Sequence, residues 1–368
     1  MDFAASSSYS LGVEIEFQIL DGDNLNLVPF AQKLLDQAPA LLRPRLSQEF
    51  IKSILEVQTG ICDDLRDVEN DLMQTCSLAE ELASDHDFLL YAASLHPFAR
   101  ASEQKLSEDK RYERIMQELQ IVGRRFISQG LHVHIGMPDG ETAVRVCNQI
   151  QGFLPIFLTL SCSSPFFQGQ DTGLMSYRTK LFEALPLAGI YEYMRDWQHF
   201  GDELEKLMRY GIITGFRDLW WDARPSPEFG TIEIRVCDLP VKFTNILALV
   251  ALIQSTAVWL AEEMKESAPL DPYLLKANKW QAARHGLDGR FVDPTGLLVE
   301  QPLKYRLAAM VLKSRIEPFS VSLGSDLYLQ DLDSIISGGT GADLMRRIYQ
   351  HSRDFHTVVR DIQKNFWQ

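Results

Sequence analysis

Four short stretches of the chain place ionisable side chains at alternate positions between apolar ones: Gly12-Val13-Glu14-Ile15-Glu16-Phe17, Ile54-Leu55-Glu56-Val57, Leu131-His132-Val133-His134-Ile135 and Thr231-Ile232-Glu233-Ile234-Arg235-Val236. A period of two marks a half-buried strand, because successive side chains leave opposite faces. Here the polar face consists of carboxylates and imidazoles, an unusual choice for a plain surface. Glu14 and Glu16 would lie about 7 Å apart on one strand, with the next strand about 5 Å away. If the four strands share a sheet, their acids crowd together and repel unless cations sit among them. Two or more divalent metals would relieve that repulsion. Taken singly, each pair has a plainer reading. An E-x-E on a strand is more often a solvated face, and an H-x-H is commonly structural. Imidazole with carboxylate also suits Zn²⁺ more obviously than Mg²⁺ or Mn²⁺. Glu233 and Arg235 could form an exposed ion pair.

Two further stretches bear on the chemistry. Trp220-Trp221-Asp222-Ala223-Arg224-Pro225-Ser226-Pro227-Glu228-Phe229-Gly230 leads into the fourth strand. Its prolines stiffen the backbone around Arg224 and Gly230 allows close backbone approach, so an arginine is held rigidly beside acids, as phosphate handling requires. The segment from Ser161 to Arg178 mixes aromatics, hydroxyls and an arginine. Long loops of that kind are often binding loops, and exposing both Phe166 and Phe167 would harm solubility. There is no G-x-x-x-x-G-K-[ST], G-x-G-x-x-G or G-x-S-x-G, so a P-loop, a Rossmann site and a serine hydrolase are unsupported. A nucleotide would have to be held by metals and arginines.

The elements that must position these groups follow from the rest of the chain. Its 368 residues, 46% hydrophobic and 23% charged, suffice for a large core. Helical periodicity predicts helices over about 65–82, 103–122, 141–161, 189–209, 243–265, 302–314 and 342–365, with Pro155 kinking or interrupting the third. Further strands are expected near 88–95 and 216–222, and loops at 22–29, 136–141, 162–178, 222–230 and 286–296. Strands with one polar face favour an antiparallel sheet with helices on the other side, hence α+β. No linker divides the chain, so residues 1–368 are read as a single catalytic domain with a helical C-terminal part from about 300. The apolar run Ile246–Ala261 is interrupted by Gln254, Ser255 and Thr256 and reads as a buried core helix, with no membrane partner. A net charge of −14 argues against nucleic acid and anionic lipid. The scattered cysteines 62, 76, 147, 162 and 237 suggest free thiols, and with no signal-peptide pattern at the start a cytoplasmic location is expected.

Taken in order and spacing, the motifs resemble the glutamate-cysteine ligase type 2 family, most closely its YbdK-type bacterial carboxylate-amine ligases. The resemblance runs from about residue 10 to about 295, through Leu11 to Glu16, Glu56 to Cys62, His96-Pro97-Phe98, Leu131 to Gly136, the loop from Ser164 to Arg178, Phe182 to Pro186, Trp221 to Arg235, and Asn278-Lys279-Trp280 with Arg284-x-Gly286-Leu287. It implies a glutamine-synthetase-like fold, an antiparallel sheet bent around ATP and Mg (or Mn). By the same resemblance Glu14, Glu16, Glu56, His134 and Glu233 look like metal ligands, with Glu49 at an acidic position seven residues before Glu56. Arg235 looks like the cation facing the transferred phosphoryl group, and Glu233 and Arg235 are the expected catalytic pair. Nucleotide and substrates are expected to meet His132, Tyr177, Arg178, Trp221, Arg224 and Arg235. Ile15 and Ser163 depart from the residues many relatives carry there, Glu and Asn, the first on the core face and the second in the substrate loop.

The activity implied is ATP-dependent joining of a small-molecule carboxylate to an amine through an acyl phosphate, with weak glutamate-cysteine ligase activity and a homodimer as the expected assembly. The alternative from another class is a di-metal hydrolase acting on amides or phosphoesters without ATP.

Overall fold

The computed structural model describes residues 1–7 and 9–368. The polar-faced stretches become strands of one seven-stranded sheet. Its members are β1 (Leu11–Asp21), β2 (Leu46–Gln48), β3 (Ile54–Gln58), β4 (Phe88–Tyr91) and β5 (Leu131–Gly136), with two more that follow a small separate hairpin, β6 (Phe166–Phe167) and β7 (Gln170–Asp171). Those two are β8 (Ala223–Ser226) and β9 (Thr231–Ile234). The order is β2-β3-β1-β5-β9-β8, with β4 pairing the far end of β1, and all pairs are antiparallel.

Alternation does the sorting that its period requires. Val13, Ile15 and Phe17 on β1, Leu55 and Val57 on β3, Leu131, Val133 and Ile135 on β5, and Ile232 and Ile234 on β9 are buried in one cluster. The helices Leu65–Ser84, Gly140–Ile150 and Phe243–Glu263 supply its other half. Ile15 is fully buried, as its odd position requires. The helix Phe243–Glu263 is long and apolar enough to cross a membrane by composition, yet it lies inside this core. All five cysteines are free and buried.

Several element boundaries differ from the expected ones, each for a local reason. The helix expected from 103 starts at Lys110, where Asp109 caps it, and stops at Gln120, whose φ is +48°. The helix expected from 189 starts at Trp197, capped by Asp196, whose carboxylate accepts the His199 N–H at 2.7 Å. The 141–161 helix is two, Gly140–Ile150 and Leu154–Ser161. Pro155 sits in the first turn of the second, where its missing N–H costs nothing. The 342–365 helix also divides, at Arg353 with φ +54°. The 302–314 helix instead runs on, as Tyr305–Ser322.

The strand expected at 216–222 is a short 3₁₀ turn, Phe216–Asp218, closed by the Asp218 carboxylate on Thr214. The strand lies later, at 223–226, inside the expected loop. Pro225 is tolerated there because β8 is the sheet edge. Gly230, φ +64°, completes the turn into β9 against the Ala4 carbonyl, where a side chain has no room.

Candidate active site

The polar face of the sheet forms the floor of a cleft of about 320 Å³. Register aligns its side chains across the strands. One row runs Gly12, His134, Glu233, Arg224, a second runs Gln58, Glu14, His132, and a third runs Ser47, Glu56, Glu16. Glu49, from the turn between β2 and β3, joins the third row, and Arg235, just past β9, joins the second row's end of the cleft.

The floor falls into two electrostatic regimes. In the first, each carboxylate has a cationic or donor partner. His132 Nδ1 lies 3.0 Å from Glu14 Oε2 and His134 Nε2 lies 3.5 Å from Glu14 Oε1. Burial raises the Glu14 pKa, but hydrogen bonds with His132 and His134 outweigh it and hold the group far below the usual carboxylate range. Arg224 Nε donates to Glu233 Oε2 at 2.7 Å, and the Arg235 guanidinium bonds the other oxygen. Burial again raises, and the two arginines overcome it, so Glu233 stays ionised well below its ordinary pKa. Burial and then Arg235 push His132 down to about 4. His134, lowered by burial, is raised on balance by Glu14 and Glu233.

In the second regime the carboxylates face one another. Burial, then the charge of Glu56, pushes Glu16 up to about 8. Burial, then Glu16, pushes Glu49 up to about 7. Burial, Glu14 and Glu49 push Glu56 well above its ordinary value. Their local partners are neutral donors: Gly130 N–H on Glu16 at 2.5 Å, Phe50 N–H on Glu49 at 3.2 Å, and the Ser47 hydroxyl on Glu56. Among the described residues three sets of ligand atoms lie within 4.8 Å of one another: Glu14/His134/Glu233, Glu14/Glu56/His132 and Glu16/Glu49/Glu56. An all-oxygen trio that repels itself fits a hard divalent cation such as Mg²⁺ or Mn²⁺.

Of the residues expected to meet nucleotide or substrate, His132, Arg178, Arg224 and Arg235 line the cleft. Arg178 is buried, hangs its guanidinium on the Val236 and Arg235 carbonyls at 3.4 and 3.3 Å, and lies 5.0 Å over the Phe182 ring. Gly130 is bare because a Cβ there would strike that guanidinium. Two of the expected residues do not line the cleft. Trp221 is turned away from the cleft and stacks on Tyr191 with ring centroids 4.7 Å apart, while its neighbour Trp220 lines the wall. Tyr177 stands outside the cleft against Phe167, centroids 5.0 Å apart.

The 162–178 loop is likewise mostly an anchor. Phe166 is buried against Tyr349 and Phe355, and Arg346 grips Asp171 at 2.6 Å. Ser163 is fully buried, its hydroxyl donating to the Leu239 carbonyl at 2.7 Å, so its side chain does not face a substrate. Asp238 gathers the Ser163 N–H and the Ser164 and Ser176 hydroxyls at 2.7 to 2.9 Å, fixing the loop so that its end delivers Arg178.

The apolar wall escaped the sequence reading. Phe50, Ile54, Tyr112, Ile115, Leu119 and Phe126 line it together with Phe182, Leu185, Phe216 and Phe229, and the Phe126 and Phe182 rings meet with centroids 5.1 Å apart. Tyr112, Ile115 and Leu119 share the apolar stripe of the helix Lys110–Leu119, which has no fully buried residue. This helix is tied across the mouth by Arg114 on Asp218 at 3.0 Å and Arg111 on Asp218 at 3.6 Å. The spacing 112, 115, 119 was the available signal, since it marks one helix face.

Comparison with known proteins places this geometry. The family model described as glutamate-cysteine ligase family 2 matches residues 10–361. A protein of Gloeobacter violaceus provisionally named glutamate-cysteine ligase 2 is 36% identical over 98% of both chains, and one of Bdellovibrio bacteriovorus with the same provisional name is 37% identical over 97% of this chain and 94% of its own. Among solved structures, the glutamate-cysteine ligase of Francisella tularensis in complex with AMP superposes with a TM-score of 0.70 at 13% identity, covering 100% of this chain and 90% of that one. A bifunctional glutathione synthetase from Pasteurella multocida gives 0.73 at 15% identity, over 97% of this chain and 52% of the other. These likenesses establish the α+β fold built on a bent antiparallel sheet. The hydrolase alternative finds no support in these matches. By sequence the chain belongs to glutamate-cysteine ligase family 2 and is an enzyme of that ligase family.

Proposed function

We propose that the chain is an Mg²⁺- and ATP-dependent carboxylate-amine ligase working through an acyl phosphate, with glutamate and cysteine as the reference pair and weak activity toward them. The observation that carries this reading is the Glu16/Glu49/Glu56 trio, buried at Glu16 and Glu56 and half-buried at Glu49, which repels itself beside a wall bearing Arg178, Arg224 and Arg235. Acids that crowd without a cation suit a metal, and arginines beside them suit phosphates. That the Francisella ligase, which shares the fold, was solved in complex with AMP supports a nucleotide as a ligand of this chain.

Glu14, Glu16, Glu49, Glu56, His134 and Glu233 would hold the metal, which when bound screens the phosphate charges and orients the transferred group. A carboxylate is a poor electrophile, so the substrate acid takes the γ-phosphoryl group of ATP before the amine attacks. Arg235, held in place by Glu233, stabilises the equatorial oxygens during that transfer. Arg178 brings a buried guanidinium to the cleft wall, where its charge would attract an anionic substrate group. The apolar walls exclude water that would otherwise hydrolyse the acyl phosphate. A carboxylate of the cluster takes the proton from the attacking amine. Five buried free thiols and the charge of −14 support a cytoplasmic enzyme without nucleic-acid or membrane partners, and a homodimer is the assembly to test by light scattering.

Purified protein with Mg²⁺, ATP, glutamate and single amines should release phosphate only when acid and amine are both present. Phosphate release that ignores the amine, or turnover of amides or phosphoesters without ATP, would sink the ligase reading.

A further inference from the structure

Lys279 belongs to the Asn278-Lys279-Trp280 stretch and does not line the cleft. Strand β9 ends at Ile234, and the next two N–H groups, of Arg235 and Val236, both donate to the Asp222 carbonyl, at 2.8 and 3.1 Å. Two residues opposite one make a β-bulge, a device that bends a strand and sets where its side chains point. Asp222 therefore fixes the place at which the main chain of Arg235 leaves the sheet.

Asp222 is in turn held by one lysine. Lys279 Nζ donates to Asp222 Oδ2 at 2.6 Å, with both side chains under a tenth exposed, and reaches Glu183 Oε1 at 3.2 Å. Among the described residues no other cation pairs with Asp222. The neighbourhood is shaped for this contact. Gly189, φ +87°, accepts the Asp222 N–H at 2.9 Å, and a Cβ on it would stand 3.1 Å from Nζ. The helix carrying Lys279 is pinned beside it, since Asn278 exchanges two hydrogen bonds with the Val292 main chain, at 2.7 and 3.0 Å.

We propose that Lys279 is a positioning residue for phosphoryl transfer: through Asp222 it locks the bulge that aims Arg235 into the cleft. The proposal rests on Arg235 meeting the transferred phosphoryl group. A shift near 1 Å in such a group costs about 10²-fold in rate, so losing the lysine should cost between about 10-fold and 10²-fold. A purely structural ion pair makes a different prediction, because it would lower activity equally whatever stands at position 235.

The test is a double-mutant cycle between Lys279→Met and Arg235→Lys. Its first readout is kcat with glutamate, an amine and Mg-ATP. Its second is the affinity for ADP with aluminium fluoride and Mg²⁺, which mimics the transferring group and needs no knowledge of the acid. Lys279→Met should weaken both readouts by about 10-fold to 10²-fold in the unaltered background and less than about 3-fold beside Arg235→Lys, with the KM for ATP little changed. Asp222→Asn is the second variant, since it keeps the carbonyl and the side-chain shape and leaves Lys279 its bond to Glu183; it should show the same coupling. Equal losses in both backgrounds overturn the proposal, as does failure of both variants to fold, which would make the pair a folding requirement. Failure of the unaltered chain to bind the nucleotide mimic strikes instead at the nucleotide site, and the positioning role falls with it.

Discussion

Replacing Glu16 by Gln should stabilise the metal-free protein, and the gain should grow with pH. Glu16 is raised from 4.5 to about 8, first by burial and then by the charge of Glu56. A carboxylate whose folded pKa is raised gives stability that is full below its ordinary value near 4.5 and is lost as pH climbs through 8, because the folded state holds the proton the longer. At about 1.4 kcal/mol per unit, the loss is between about 1 and 2 kcal/mol at about pH 5.5 and at most between about 4 and 5 kcal/mol at about pH 8.5. Gln cannot ionise and retains an oxygen for the Gly130 N–H, now 2.5 Å from Glu16 Oε2. The advantage of Glu16→Gln should therefore widen by up to about 3 kcal/mol between those pH values, and by at least about 1 kcal/mol once water and relaxation soften the crowding. Urea unfolding in chelator at the two pH values measures it. Saturating Mg²⁺ should reverse the order, since the unaltered trio gains a cation and the variant has one charge fewer to bind it. An advantage that is flat with pH, or Mg²⁺ stabilising both proteins alike, would refute the idea that uncompensated acids build this site.

Arg235→Lys should lower kcat by about 10²-fold, because a point charge does not reproduce a planar fork, with steady-state kinetics as the check. Glu233→Gln should abolish turnover and also destabilise the fold by about 3 kcal/mol, since Arg224 and Arg235 would lose their shared anion. Because the Glu233 pKa is depressed, that stability is present above its ordinary pKa and fades as pH falls, so the variant and the unaltered protein should converge in acid denaturation. Arg114→Ala loosens the clasp on Asp218 at 3.0 Å. Stability should fall by less than about 1 kcal/mol while substrate KM rises a few-fold, an effect that high salt removes. Trp220→Ala should raise substrate KM with stability little changed, whereas Trp221→Ala should cost about 3 kcal/mol in thermal unfolding and leave KM alone, since only Trp220 lines the cleft.

The floor was legible because a strand leaves so little freedom. Once Val13, Ile15 and Phe17 go inward, Glu14 and Glu16 must go outward, and the same holds for His132, His134 and Glu233. The walls were harder to read, because they come from turns whose direction depends on distant partners. Trp220 and Trp221 are adjacent and alike, and which one faces the cleft is decided by Tyr191, about 30 residues away in sequence, offering its ring to the second. Phe166 is buried against Tyr349 and Phe355 and Phe167 is half-buried against Tyr177, and these distant ring partners make the pair an anchor of the loop rather than a substrate platform. The strand β8 hid behind its proline, which reads as a loop residue until the strand is known to be an edge.

The division of the floor into a compensated half and a crowded half is a consequence of register. Glu14 faces His132, Glu233 faces His134 on one side and Arg224 on the other, while Glu16 faces Glu56. All of these residues would share a face in many registers, but only this one pairs two acids and gives the rest basic partners. Slipping β1 by two residues against β3 would keep every apolar side chain in the core, so the hydrophobic pattern alone does not select the site. Local contacts do: the Val13 N–H on Thr59 Oγ1 at 3.0 Å and the Leu11 N–H on the Cys62 carbonyl at 2.8 Å lock β1 to the end of β3. The electrostatic strain that suits a metal is thus set by main-chain hydrogen bonds beside the acids rather than by the acids themselves.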